Sequence, residues 1–234
     1  MKDKISISFV LPMYNEQANI ADAISNIKSF AGELSDDYEI VIVDDASTDG
    51  SAEIVAEKMK EDPRIRFFRL EKNTRFGGAF AKGFKEAGKD VIMYMDSDMP
   101  VSIADIKESF PLIKSADIVT GFSKIKKGDT ALRKFISTGY NFLVRSLFGL
   151  DINDINSGYK IVRREVIEGL DFVSRSPFVD VEIFLHAKKK NKKVRQFPLI
   201  FRSRSGGESH ISRMPVILAT FTDMLKVKIR SLKG

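Results

Sequence analysis

Two carboxylates, Asp96 and Asp98, flank a serine directly after the apolar run Val91–Met95. That run reads as a strand, so both acids stand at a strand end, where both can reach one hard divalent cation. Mg2+ and Mn2+ take oxygen ligands and accept substrate phosphates as the remaining ones. A metal held there would bridge a diphosphate and stabilise the charge on a departing nucleotide. The same acids could instead cap a helix beginning at Ser102-Ile103, and Asp-x-Asp alone does not separate the two readings. A second acidic pair, Asp44-Asp45, follows the run Tyr38–Val43. A carboxylate at such a place can accept from ribose hydroxyls or a base N–H, while Asp49-Gly50 just beyond reads as an Asx turn leading into a helix. A third cluster, Pro12–Glu16, offers Tyr14 as a ring to stack on a base and Glu16 for a helix N-terminus; a capped turn is the plainer alternative. Arg75-Phe76-Gly77-Gly78 opens a further helix, where Gly78 would let backbone approach phosphates and Arg75 would add charge. It is neither G-x-G-x-x-G nor a P-loop, which counts against nicotinamide cofactors and ATPase action.

The elements that must position these groups alternate along the first 120 residues. Strands are expected over 5–11, 38–43, 65–70, 91–95 and 117–121, and helices over 16–30, 49–60, 78–87 and 103–114. Strands without clean polar alternation, separated by helices, imply an α/β fold: a mostly parallel sheet covered by helices on both faces. Ligands then bind beyond the carboxyl ends of the strands, which is where all three polar clusters fall. Pro12 is expected to stop the first strand. In the second half, helices are expected over 131–148, 162–170, 180–190 and 215–232 and a strand over 194–201, with a Gly/Ser-rich loop at 203–209. No repeat or linker appears. The expected organisation is one domain over 1–234, divided into a first half (1–120), a second half (121–213) and a C-terminal amphipathic helix (214–234).

The 234 residues are 43% hydrophobic and 30% charged, an ordinary globular balance. The absence of Cys excludes disulfide scaffolds and thiol chemistry. No stretch approaches the roughly 20 apolar residues of a spanning helix, and the N-terminus has too short an apolar core for a signal peptide. Residues 1–110 carry 14 Lys and Arg against 21 Asp and Glu, whereas residues 111–234 carry 24 against 11. A basic second half points to an anionic partner. The basic half has no interleaved aromatic pattern, which argues against nucleic acid.

Taken together, VLPMYNE, EIVIVDDASTDGS, RFGGAFAKGF and MYMDSDMP resemble the inverting glycosyltransferases of family 2, which have the GT-A fold. DINDINSGYKIVRREV, SPFVDVEIF and RSRSGGESHIS resemble its polyprenyl-phosphate sugar synthases, such as dolichyl-phosphate mannose and glucose synthases. The resemblance implies that Pro12, Tyr14, Glu16, Asp44 and Asp45 line the nucleotide pocket, and that Asp96 and Asp98 hold Mg2+ or Mn2+ and the diphosphate. It implies that Arg133 and Ser137 handle the acceptor phosphate, that Arg204 closes over donor and acceptor, and that Asp154, Gly158 and Lys160 lie beside the acceptor. It implies, too, that 1–120 binds a nucleotide sugar and 121–213 an acceptor. Two positions depart from the pattern. Met99-Pro100-Val101 replaces a Gln that often follows the metal pair, and Lys124 is the nearest cation where relatives carry Arg.

The implied reaction moves a hexose, mannose or glucose, from GDP-mannose or UDP-glucose to a polyprenyl phosphate with inversion. An anionic acceptor needs little general-base help, so the work is positioning and charge neutralisation, with Arg133, Lys160 and Arg204 suited to the phosphate. Were the acceptor a hydroxyl of a soluble glycan, a carboxylate base would be required, Asp154 first and Asp180 second. A non-catalytic nucleotide-sugar-binding protein is the third reading. The C-terminal segment places Val216, Ile217, Leu218, Phe221, Leu225, Ile229 and Leu232 among Lys226, Lys228, Arg230 and Lys233. Such a helix can lie in an anionic membrane interface or pack on the core with its basic face in water. A peripheral position at the cytoplasmic face of a membrane is the expectation.

Overall fold

The computed structural model describes residues 5–97, 99, 101–123, 131–200 and 214–233, and within these the side chains of all but 131–135, 232 and 233. Ile7–Met13 (β1) and Tyr38–Asp44 (β2) are buried along nearly their whole length, as strands without polar alternation must be when both faces are covered. Successive side chains point to opposite faces. Ile7, Phe9, Leu11 and Met13 of β1 therefore join Tyr38, Ile40 and Ile42 of β2 in one core, while Val10, Val41 and Val43 join a second core on the other face.

Parallel pairing extends these strands on both sides. Ile65–Arg69 (β3) flanks β2, and Val91–Met95 (β4) flanks β1. Tyr159–Arg163 (β6) runs antiparallel between β4 and Ile118–Ser123 (β5), and Val194–Leu199 (β7) closes the far edge parallel to β5. The seven strands lie in the order β3-β2-β1-β4-β6-β5-β7. Ile20–Leu34 (α1) covers the first face with Ile20, Ala23, Ile24, Ile27, Phe30 and Ala31, a repeat of three and four residues that makes one apolar stripe. Ser51–Glu61 (α2) follows β2, and its Ser51 N–H is met by Asp49 Oδ1 at 3.0 Å, the Asx turn expected there. Arg75–Glu86 (α3) buries Ala79, Phe80 and Phe84 in the second core. Ala131–Phe148 (α5), Val179–Lys189 (α7) and Met214–Lys233 (α8) contribute to the same core.

Three expectations are corrected. The segment expected as a helix over 162–170 is the strand β6 followed by one short helical turn, Arg164–Ile167 (α6). Tyr159 and Ile161 face the first core and Val162 the second, but Lys160 interrupts the apolar run and hides the strand from the sequence. The helix expected over 103–114 stops at Ser109 as Ile103–Ser109 (α4) and tightens into a 3-10 turn over Phe110–Lys114, where Pro111 has no N–H to continue the ladder. Pro12 does not end β1: it pairs with Val43 of β2, and the ladder to β4 has already ended at Val10, so on that side no N–H is required.

Candidate active site

The carboxyl ends of β1, β2, β3 and β4 share one edge of the sheet, and antiparallel β6 brings the residues before Tyr159 to that edge. The backbone is strained there. Asn15 (φ 55°), Ala46 (φ 62°), Arg75 (φ 63°) and Met99 (φ 47°) are left-handed without being glycine, and each follows one of these strands. Strain of this kind persists only where the surroundings over-determine it, and it clusters at functional sites.

At one corner of this edge the loops after β1 and β2 are stitched together. Ser47 Oγ accepts from Asn15 N–H at 2.9 Å, Asn15 Oδ1 accepts from Thr48 N–H at 2.8 Å, and Ser51 Oγ accepts from Glu16 N–H at 2.9 Å. Asp44 is fully buried. Its Oδ1 accepts from Ser47 N–H at 2.9 Å, and Arg69 Nε stands 3.2 Å from its Oδ2. Asp45 Oδ1 accepts from both the N–H and the hydroxyl of Thr74, at 2.6 and 2.7 Å. Burial raises the Asp45 pKa above the ordinary carboxylate value; the Thr74 hydrogen bonds oppose the shift, and the Asp44 charge adds to it. Both acids are thus turned inward, and the groups offered to solvent at this corner include Tyr14, 40% exposed, and the half-exposed Arg69. Pro12 lends its carbonyl to Ser97 Oγ at 2.7 Å, and half-buried Glu16 accepts from Asn19 Nδ2 at 2.7 Å.

Gly78 has a packing role. A Cβ there would stand 2.0 Å from Thr74 Oγ1, so the glycine admits the Thr74 side chain that holds Asp45. Arg75, the first residue of α3, is exposed.

Asp96 follows β4 directly, with its N–H 3.3 Å from the Gly158 carbonyl, and the Tyr94 hydroxyl donates to its Oδ1. Tyr94 is fixed by Phe80, whose ring centroid lies 4.8 Å away and which itself stacks on Phe84 at 4.4 Å. The helix-capping alternative for this acid fails, because the N-cap of α4 is Ser102, whose Oγ accepts from Asp105 N–H at 3.1 Å. A partly buried carboxylate at a strand end, oriented by a phenol, suits a hard cation whose other ligands are diphosphate and water oxygens. Among the described residues no group of three acidic, His or Cys side chains is assembled for a metal. Asp98, the expected second ligand, lies outside the described residues.

Lys160 departs from its expected place. Its side chain is 0% exposed, 2.9 Å from Asp180 Oδ1, and hydrogen-bonded to the Ser157 carbonyl. Its ammonium sits 5.6 Å from the Tyr94 ring centroid and is out of reach of solvent. Burial raises Asp180 to about 6 against the pull of Lys160, and the charge of half-buried Asp154 reinforces the rise. Tyr140, at the same place, is driven well above the phenol range by burial and by Asp180. Ser137 is half-buried in α5, which also carries Arg133. The side chain of Arg133, and Lys124 and Arg204 altogether, lie outside the described residues, although β5 and β7, which they follow in sequence, end at this same edge. Asn15, Arg69 and Thr74 were not among the residues read from sequence. Arg69 alone had a signal, a cation near the end of the strand expected over 65–70; the register that sets it beside Asp44 is seen only in the structure.

The sequence profile of glycosyl transferase family 2 matches residues 8–170, more than two thirds of the chain, and spans all the site elements from β1 to β6. This chain belongs to glycosyl transferase family 2. Among similar family 2 proteins, the undecaprenyl-phosphate mannosyltransferase of Micrococcus luteus is 26% identical over 213 residues, covering 87% of this chain and 86% of that protein. The dolichol-phosphate mannosyltransferase of Pyrococcus furiosus is 33% identical over 214 residues, 88% of this chain but 59% of that protein. In three dimensions the chain resembles glucosyl-3-phosphoglycerate synthase from Mycobacterium tuberculosis, solved with Mn2+, UDP and glucosyl-3-phosphoglycerate. The TM-score is 0.73 at 17% identity, over 95% of this chain and 79% of that one. At that identity the likeness establishes the fold, a GT-A α/β sheet.

Proposed function

We propose that this family 2 glycosyltransferase moves a hexose, mannose or glucose, from GDP-mannose or UDP-glucose to a polyprenyl phosphate, with inversion and with Mg2+ or Mn2+ bound. The observation that carries the reading is the meeting of the Asp44–Asp45 corner, Asp96 and the residues before Tyr159 at one strand edge. The names of the polyprenyl-phosphate mannosyltransferases that resemble the chain support the acceptor class. Asp96 and Asp98 would hold the cation, which would neutralise charge on the departing nucleotide. The nucleotide would lie against Tyr14 and the wall built on Pro12, Glu16, Asp44, Asp45 and Thr74, with Arg75 at its rim. The acceptor phosphate would be placed by Lys124, Arg133, Ser137 and Arg204. Lys160 would act from below, neutralising Asp180 and supporting Tyr94, the phenol that orients Asp96. Because a phosphate acceptor is already anionic, Asp154 is not needed to remove a proton from it.

Helix α8 supports a membrane position. Thr220, Asp223, Met224 and Val227 are buried, whereas Met214 (65%), Leu218 (61%), Phe221 (47%), Leu225 (59%) and Ile229 (53%) are exposed. These five recur every three or four residues, so one helix bears two apolar faces: one docks on the core and one is left in water. No helix among the described residues is long and apolar enough to cross a membrane. We place α8 in the plane of a cytoplasmic membrane interface, where a lipid acceptor is met.

The test offers UDP-glucose and GDP-mannose with Mn2+ or Mg2+, each with and without a short polyprenyl phosphate. Metal-dependent nucleotide release that rises with the lipid phosphate and is lost in Asp96→Ala and Asp98→Ala is the expected result. Release without lipid stimulation, but with transfer to a soluble glycan, would move the acceptor to that class and make Asp154 the base.

A further inference from the structure

Between the N-terminus of α3, the loop at Arg175 and one side of α8 lies a cleft of about 600 Å3. Its charged lining is Lys72, Arg75, Arg175, Lys226 and Asp223. Asp223 is not a counter-charge for all four cations. Its Oδ2 accepts from the N–H groups of Arg175 and Ser176, both at 3.0 Å, and its Oδ1 pairs with Lys226 at 3.1 Å. Lys72, Arg75 and Arg175 have no ion pair among the described residues. The walls are held firmly. The Arg175 carbonyl accepts from Gly77 N–H at 3.0 Å, and a Cβ at Gly77 would stand 2.7 Å from the Arg175 carbonyl carbon. The α8 wall consists of Ala219, Thr222, Asp223 and Lys226, and the exposed stripe of Leu218, Phe221 and Leu225 is on the adjacent face of that helix.

We infer that this cleft is a binding site for the phosphate headgroup of an anionic phospholipid, distinct from the acceptor site. The inference rests on the membrane position proposed for α8. A phosphate ester on an apolar anchor fits the juxtaposition: three cations without an ion pair among the described residues, in a concave site beside apolar side chains that face outward. A second copy of the chain does not fit it, because a symmetric contact would set Lys72, Arg75 and Arg175 against the same three cations. A free nucleotide would use the cations but leave the stripe in water. With the headgroup seated, the lipid fixes α8 and, through Asp223, Arg175 and Gly77, the start of α3, whose preceding Thr74 holds Asp45.

The experiment is flotation of the full chain with vesicles of phosphatidylcholine alone or mixed with phosphatidylglycerol, alongside binding of UDP and GDP in solution. Wild type should float with the phosphatidylglycerol vesicles. Arg175→Gln/Lys226→Gln should lose on the order of ten-fold in that affinity, since each basic group near an anionic surface contributes about one factor of several-fold. The control Lys60→Gln/Lys85→Gln, with the same charge change on α2 and α3 away from the cleft, should lose less than about two-fold. UDP and GDP binding should be unchanged in both. Equal loss in the two double variants would reduce the effect to net charge and overturn the site. Weakened nucleotide binding with unchanged flotation would assign the cleft to the donor and also overturn it. If wild type floats with neither vesicle, the membrane position itself falls, while the donor assay still decides sugar transfer.

Discussion

Removing the carboxylate of Asp180 would leave Lys160 a buried cation whose remaining partners among the described residues are the Ser157 carbonyl and the Tyr94 ring. Breaking a buried pair from one side costs about 3–5 kcal/mol, whereas replacing both members by apolar groups of similar volume is often near neutral. Asp180→Ala should therefore lower the denaturation midpoint far more than Lys160→Met/Asp180→Leu, as urea titrations followed by circular dichroism would read. Equal loss in the two would mean that the pair is not isolated from water. The same residue sets a pH dependence. Its folded pKa, about 6, is above its ordinary 3.8, so the folded state holds the proton more tightly. That contribution is complete below about 3.8 and is lost as pH rises through about 6. Glu39, Asp49, Asp62 and Asp223 are shifted down by their hydrogen bonds and ion pairs, against burial, so their contribution is present at neutral pH and lost as pH falls below about 4. Thermal midpoints should thus fall on the acid side and also decline between about pH 4 and 6; Asp180→Asn should flatten the second slope, leaving the part that Asp45 contributes, and keep the first.

At the scale of elements, the joint between α3 and the Arg175 loop is set by a missing side chain. Gly77→Ala forces its Cβ against backbone rather than a yielding side chain, so a loss of about 1–3 kcal/mol is expected, with weaker nucleotide binding as Thr74 and Arg75 shift. Unchanged stability and binding would show that the joint is loose. Phe221→Ser and Leu225→Ser on α8 should leave the thermal midpoint within about 0.5 kcal/mol, since both are exposed, and should weaken vesicle binding. The elements also account for what the sequence could reveal. Strands β1, β2 and β4 and helix α5 are legible because their apolar patterns are unbroken. Strand β6 was not, because a lysine stands at a core position and its neutralising aspartate is 20 residues away. The acidic clusters were legible as sites, but a composition of carboxylates does not tell which are sealed: Asp44 and Asp45 are turned into the wall by Ser47, Arg69 and Thr74, contacts made across three different strand ends. The two apolar faces of α8 could be listed from sequence but not sorted into inward and outward.

Across the whole molecule, two cores share one sheet and depend on different spans of chain. The first is built mainly from β1, α1, β2 and α4. The second joins Phe80 and Phe84 of α3 to Val144, Phe178, Ile183, Met224 and Val227, so the first 120 residues cannot bury their own second face. A fragment of residues 1–123 is expected to be soluble only with denaturant or a partner, and sedimentation of the refolded fragment would check it; a monodisperse folded fragment would contradict the shared core.

The place of β6 between β4 and β5 has a consequence for the order in which the chain leaves the ribosome. Strand β5 is synthesised before β6 yet has no neighbour until β6 arrives, and until then β4 carries an open edge. Exposed edges of this kind are templates for wrong pairing. The nascent protein must therefore hold an unpaired β5 and the open edge of β4 in waiting until the 159–163 segment emerges, and a translational pause just ahead of that segment would be the moment of greatest need for a chaperone.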